Sequence, residues 1–232
     1  MDATTGWLFL TRWGNSLLLL PAAACICIGV WSSGDRRAAI RWALCFGAAV
    51  LLVLATKLAF LGWGIGIRGL DFTGISGHSA LAASVLPMFA WWLTREQVPA
   101  IRRCAVLLAV AFALVVGVSR VVLSTHSVAE VVAGLLLGSL VAWGAMPRAQ
   151  GAGRGGMFRW AALAGLLVLG FMPGPGNSEE AHGLVVRIAL QLSGRAQPYS
   201  REAWQLTAPD HGATDRSTDD AAASRSASVG SP

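Results

Sequence analysis

The chain has 232 residues, of which 55% are hydrophobic and 13% charged, about half the ~25% charge of ordinary soluble domains. Such a composition argues against a water-soluble globular protein. The net charge of +6 has to be read from where the arginines stand, and it does not by itself indicate a nucleic-acid partner.

Six apolar stretches reach or approach the length that crosses a bilayer, about 17–25 residues. They are 13–33, 38–61, 79–94, 104–123, 131–146 and 160–173. The stretches are apolar all round, whereas a soluble helix keeps a polar face at helical spacing. No basic cluster precedes the first, and its apolar run is longer than a signal core, so a retained helix is expected.

Arginines set the expected orientation. Arg36, Arg37 and Arg41 follow the first stretch, Arg95, Arg102 and Arg103 the third, and Arg148, Arg154 and Arg159 the fifth. All fall on one side, which the positive-inside rule makes cytoplasmic, so both termini are expected outside. Cys25, Cys27, Cys45 and Cys104 lie in or beside apolar stretches on the inner half, and read as small buried hydrophobes rather than disulfide or metal partners.

Beyond residue 173 the character changes. "GPGNSEE" reads as a linker, and 183–193 as a short amphipathic helix with Leu184, Val185, Ile188, Ala189 and Leu192 on one face, suited to a membrane surface. From 207 on, Ser, Ala and Asp dominate, which leaves too little apolar surface to fold alone. The expected fold class is all-α: a polytopic transmembrane bundle of about six helices, a short amphipathic helix and a disordered C-terminal tail. The expected division is 1–173 for the membrane domain, 174–206 for an outward-facing linker and amphipathic helix, and 207–232 for the tail.

Charges within apolar stretches are functional candidates, since each costs about 2.5–3.5 kcal/mol near a helix centre on insertion scales. Lys57 is the sole lysine. Arg68, Asp71 and His78 follow it, and Arg120, His126 and Glu130 stand between the fourth and fifth stretches. By the topology above, both groups reach the outer face. Lys57 could also snorkel to the interface, and Arg120 with Glu130 could be a structural ion pair. Taken together, the cations suit a multiply charged anion such as phosphate. Two histidines allow one to attack and the other to protonate a leaving oxygen. His126 and Glu130, four apart, share a helix face, so the carboxylate can fix the imidazole tautomer. "SGH" (76–78) offers the Ser76 hydroxyl and backbone N–H groups where the chain enters a helix, an anion site. Gly74 and Gly77 let the backbone bend and approach an anion closely.

"ISGHS" and "SRVVLSTHSVAE" resemble the second and third signature motifs of the type 2 phosphatidic acid phosphatase family, related to vanadium haloperoxidases. Ser119-Arg120, five residues, His126, three residues and Glu130 keep the spacing of the third motif, with Glu130 where the family has aspartate. Ile75 replaces the proline of the second. The first motif, Lys, six residues, Arg-Pro, retains Lys57 but has Gly64 at the arginine position, and Arg68 is the candidate substitute. The resemblance implies His126 as nucleophile forming a phosphohistidine, Glu130 orienting it and His78 as general acid. It implies Lys57, Arg68, Ser76, Gly77 and Arg120 as phosphate binders, with no metal or cofactor. It also implies a lipid phosphate substrate at the periplasmic face of a bacterial inner membrane, such as polyprenyl diphosphate, phosphatidylglycerol phosphate, phosphatidic acid or lipid A phosphate. Two alternatives stay open: a lipid phosphotransferase of the same fold, and a non-enzymatic membrane protein.

Overall fold

A computed structural model describes residues 3–146, 156–171 and 178–206. Among these the regular structure is helical: α1 (Ala3–Arg12), α2 (Ser16–Ser32), α3 (Arg36–Trp63), a one-turn 3-10 helix (Arg68–Leu70), α4 (Gly77–Leu93), α5 (Pro99–Val122), α6 (Val128–Ala145), α7 (Gly156–Phe171), α8 (Ser178–Ser193) and α9 (Arg201–Leu206). Extended pairing among them amounts to an isolated bridge between Ile67 and Phe72. Four helical stretches are long and apolar enough to cross a membrane: Thr4–Ser32, Arg36–Trp63, Pro99–Val122 and Val128–Ala145. Met157–Phe171 is apolar but shorter. Over the described residues the protein is an all-helical, multi-pass membrane bundle. The expected disordered tail, 207–232, lies outside the described residues.

Helix ends follow local chemistry. Asn15 caps α2 by accepting from the Leu17 N–H at 3.0 Å, and Asp35 caps α3 by accepting from the Ala38 N–H at 3.0 Å. Gly64 ends α3 in the left-handed conformation, φ 68°, where a side chain would be strained. The expected first span, 13–33, is corrected at its start. The chain is already helical over α1, breaks at 13–15, and restarts after the Asn15 cap.

α4 is the centre of the bundle, packing on α2, α3, α5, α6 and α7. Its buried residues run from Ser79 to Trp92 and occupy every side. Glycines set how closely its neighbours approach. A Cβ on Gly134 would stand 2.6 Å from the Ser76 carbonyl oxygen, and one on Gly138 2.3 Å from that of Ala80. The Gly134-x-x-x-Gly138 face of α6 thus lies directly on the α4 backbone, a small-residue contact familiar from membrane helices. Outward faces are apolar: Leu44, Leu107, Leu136 and Trp143 are 67%, 67%, 61% and 74% exposed. Repeated over helix after helix, such exposure suits a hydrocarbon surround and not water.

α8 includes the expected amphipathic helix and packs on α3 with part of the expected face, Val185 and Ile188 being half-buried. Ala189 is buried, whereas Leu184 and Leu192 are 55% and 62% exposed. Its small residues decide this. A Cβ on Gly62 would lie 3.3 Å from the Ser193 Cβ and 3.4 Å from the Ala189 carbonyl oxygen. In an apolar surround, leucines lose little by facing out, so close backbone approach wins. Contacts divide the chain into a unit ending at Pro198 and a second beginning at Tyr199. Within the second, α9 is capped by Ser200, whose hydroxyl accepts from the Ala203 N–H at 3.2 Å.

Candidate active site

Two loops and the helices they join bring the candidates together. The loop from α5 to α6 carries His126. Ser124 there adopts a left-handed conformation, φ 53°, and the Arg120 carbonyl oxygen accepts from the Thr125 and His126 N–H groups at 3.1 and 3.3 Å. Ser127 then starts α6 with a capping box: its hydroxyl accepts from the Glu130 N–H at 3.3 Å, and its own N–H donates to Glu130 Oε2 at 3.1 Å. The pattern Ser-x-x-Glu is itself a helix-start signal.

That cap holds the nucleophile candidate. His126 Nδ1 lies 2.6 Å from Glu130 Oε2. A carboxylate only accepts, so Nδ1–H donates, and the lone pair sits on Nε2. Glu130 Oε1 is bound by Thr73, through its N–H at 2.7 Å and its hydroxyl at 2.6 Å. Glu130 is fully buried, and these donors replace the water it has lost. Burial pushes His126 below the usual histidine range, against the pull of the neighbouring Glu130 carboxylate in the other direction.

The second loop, from α3 to α4, is locked to the first. Besides Thr73, the Ser76 N–H donates to the Glu130 carbonyl oxygen at 3.1 Å. The Ile75 N–H donates to the Thr56 hydroxyl, one residue before Lys57, at 3.1 Å. Gly74 has φ 151° and packs against Lys57, whose Cγ would lie 3.4 Å from a Cβ there. Where α4 begins, Gly77 lies close to Lys57: its Cβ position is 4.0 Å from Lys57 Nζ. Arg120, Lys57 and His126 all lie within electrostatic range of His78. Arg120 Nη1 donates to the Thr11 hydroxyl at 2.9 Å, while its Nε is buried without a partner. Behind His78 stands Gly14, where a Cβ would fall 3.0 Å from the His78 Cβ. The break between α1 and α2 therefore forms the rear wall of the site.

Six of the eight residues singled out in the sequence, Lys57, Gly77, His78, Arg120, His126 and Glu130, thus form one group. Ser76 adjoins it but is fully buried, its hydroxyl accepting from that of Ser79 at 3.0 Å and its N–H engaged by Glu130. Arg68 is exposed in the 3-10 helix and is not among the cations acting on His78 or His126. Asp71 closes that helix in a left-handed conformation, φ 47°. The Arg120–Glu130 ion pair weighed from the sequence gives way to the pairs His126–Glu130 and Arg120–Thr11. Sequence reasoning did not find Thr73, Thr11 or Gly14. None stands at an informative spacing from the histidines, whereas the Ser127 cap was readable.

The fold and the site define a membrane helix bundle in which a carboxylate-oriented histidine, a second histidine and two cations meet at one end of the helices. Residues 63–154 match the model of the PAP2 superfamily, the family that the motifs resemble. The chain is also similar to an uncharacterized 22.5 kDa protein in the cps region of Klebsiella pneumoniae, 46% identical over 134 residues. That match covers 57% of this chain and 64% of the relative, so the chain spans just under two thirds of the relative's length. No solved structure matches.

Proposed function

We propose that the protein is an integral-membrane lipid phosphatase or pyrophosphatase that works through a phosphohistidine. His126 Nε2 attacks phosphorus, and the bond from phosphorus to the leaving oxygen breaks as the N–P bond forms. His78 gives that oxygen its proton. Water then attacks the phosphohistidine, returning its proton to His78 and releasing phosphate from His126. Lys57, Arg120 and the free N–H groups opening α4 hold the phosphoryl oxygens. The phosphate's charge offsets the Lys57 and Arg120 cations near His78, so binding itself favours the protonated acid.

The observation that carries this reading is the 2.6 Å contact from His126 Nδ1 to Glu130, which commits Nε2 to the nucleophilic tautomer beside two cations. Match to the PAP2 superfamily model supports the reaction class. Apolar helices around the site support a lipid substrate, and the loop arginines support an active site on the outer face of a bacterial inner membrane. The test is phosphate release by the purified full chain from a panel of polyprenyl diphosphate, phosphatidylglycerol phosphate, phosphatidic acid and lipid A phosphate, with chelator present. Release from at least one, with an acid-labile phosphoenzyme lost in His126→Ala, is the expected result. No release from any would refute the reading.

A further inference from the structure

We propose that the apolar cavity between α2, α3 and α4 holds one hydrocarbon chain of the molecule whose phosphate His126 attacks; this rests on the function proposed above and adds the shape of its substrate. The cavity is about 100 Å³. On α3 its wall runs through Phe46, Ala49 and Val53, and on α4 through Gly77, Ala80 and Ser84, with Leu20 of α2 closing the side. Both runs keep one helical face, at spacings of three, four and seven.

Position relative to the site decides what the cavity takes. A Cβ on Gly77 would lie 3.6 Å from Val53 Cγ1 and 4.0 Å from Lys57 Nζ. Gly77 therefore belongs both to the cavity and to the phosphate site. Lys57 stands one turn beyond Val53 on the same face of α3, so an ammonium sits at the mouth and an apolar stripe continues below it. With Val53 beside Gly77, the antiparallel course of α3 and α4 places Phe46 beside Ser84 at the floor. Seven residues of helix make that depth about 10 Å. A phosphate held at Lys57 puts the next atoms of its alcohol at this mouth. What continues downward must be apolar, because a polar group there would go largely unpaired.

The cavity exists because the wall residues are small. Gly77, Ala49 and Ala80 leave space that leucines would fill, and a volume of about 100 Å³ suits one chain rather than two side by side. A larger cavity of about 300 Å³ between α2 and α7, lined by Leu18, Cys25, Phe158 and Leu166 among others, includes no residue of the site. Because the chain arrives from a bilayer already apolar, the cavity contributes selectivity and placement more than raw affinity.

Ala49→Leu and Ala80→Leu should each lower kcat/KM for a long-chain alkyl phosphate by about tenfold or more, the lower end of what one methylene decides in an apolar pocket. Neither should change turnover of soluble p-nitrophenyl phosphate. Ala162→Leu, in the other cavity, should change neither. Equal losses on both substrates, or no loss on the long chain, would overturn the proposal. Should the leucine variants fail to fold, Leu20→Ala replaces them: it should raise kcat/KM for a methyl-branched chain relative to a straight one, and an unchanged ratio counts against the site. A second readout separates this inference from the reaction. An alkyl phosphate bearing a diazirine in its chain should label the segments around Ala49 and Ala80 in His126→Ala, which cannot turn over. Labelling there in a protein that releases no phosphate would refute the phosphatase and keep the chain site, whereas labelling elsewhere would refute the chain site.

Discussion

Glu130→Gln puts the most weight on the geometry. The Glu130 carboxylate accepts from His126 and the Ser127 N–H on Oε2, and from the N–H and hydroxyl of Thr73 on Oε1. A glutamine has one oxygen for these two sets. With its amide oxygen toward Thr73, its NH₂ meets the Ser127 N–H and forces Nδ1 of His126 to accept, which moves the proton to Nε2 and removes the nucleophile. Turned over, it keeps His126 but opposes the Thr73 N–H. Either way about two hydrogen bonds to a charged acceptor are lost, at roughly 1.5–3 kcal/mol each. If most of that falls on the transition state, turnover drops by about 10²–10⁴, comparable with the loss of a histidine-orienting aspartate in serine proteases. The assay is phosphate release on the best lipid substrate, with Glu130→Asp in parallel. Aspartate keeps the charge but is a methylene short of spanning from His126 to Thr73, so it should fall between wild type and Gln. Glutamine activity within threefold of wild type would refute the orienting role.

Arg120→Ala and Lys57→Ala should each cost at least about tenfold in kcat/KM, as desolvated charge partners of phosphate do, with Arg120→Lys also poor and exposed Arg103→Ala neutral. Because burial lowers the His126 pKa, the acid limb of the rate profile should lie below the usual ~6.5 of histidine. The same group takes up its proton later in the folded than in the unfolded chain, so its contribution to stability is present above that value and fades as pH falls below it. Gly138→Ala, placing a Cβ 2.3 Å from the Ala80 carbonyl oxygen, should destabilise by about 1–3 kcal/mol, read as a lower Tm in detergent. In a cysteine-free background, Thr125→Cys should react with an impermeant thiol reagent from outside and Ser33→Cys should not; the reverse would place the site in the cytoplasm.

Much of the site was legible because its chemistry is local. His126 and Glu130 lie four apart on one chain turn, and Ser76–His78 open one helix. What joins those segments was not legible. Thr73 meets Glu130 across 57 positions, and Thr11 meets Arg120 across 109, pairings that no periodicity encodes. Ser76 looked like a phosphate ligand from its neighbours, yet Gly134 admits its backbone so closely that it turns inward. On α8 only part of the amphipathic face turns inward: Ala189 is buried while Leu184 and Leu192 face out. Counting large apolar residues finds the face that water would reject, and in an apolar surround helices pack by their smallest residues instead. The Gly134-x-x-x-Gly138 spacing carried that information in plain sight, as did the Gly14-Asn15 pair that ends α1.

One carboxylate opens α6 and also steers His126. Enzymes commonly gain stability when a charged catalytic group is neutralised, because that group is held at some cost to the fold. Here the usual trade runs backwards. Removing Glu130 would unseat the first turn of α6 together with the proposed nucleophile, so a screen for sturdier variants should not drift toward its loss at this position. Inherited changes here would be eliminated twice over, once for lost turnover and once for lost protein.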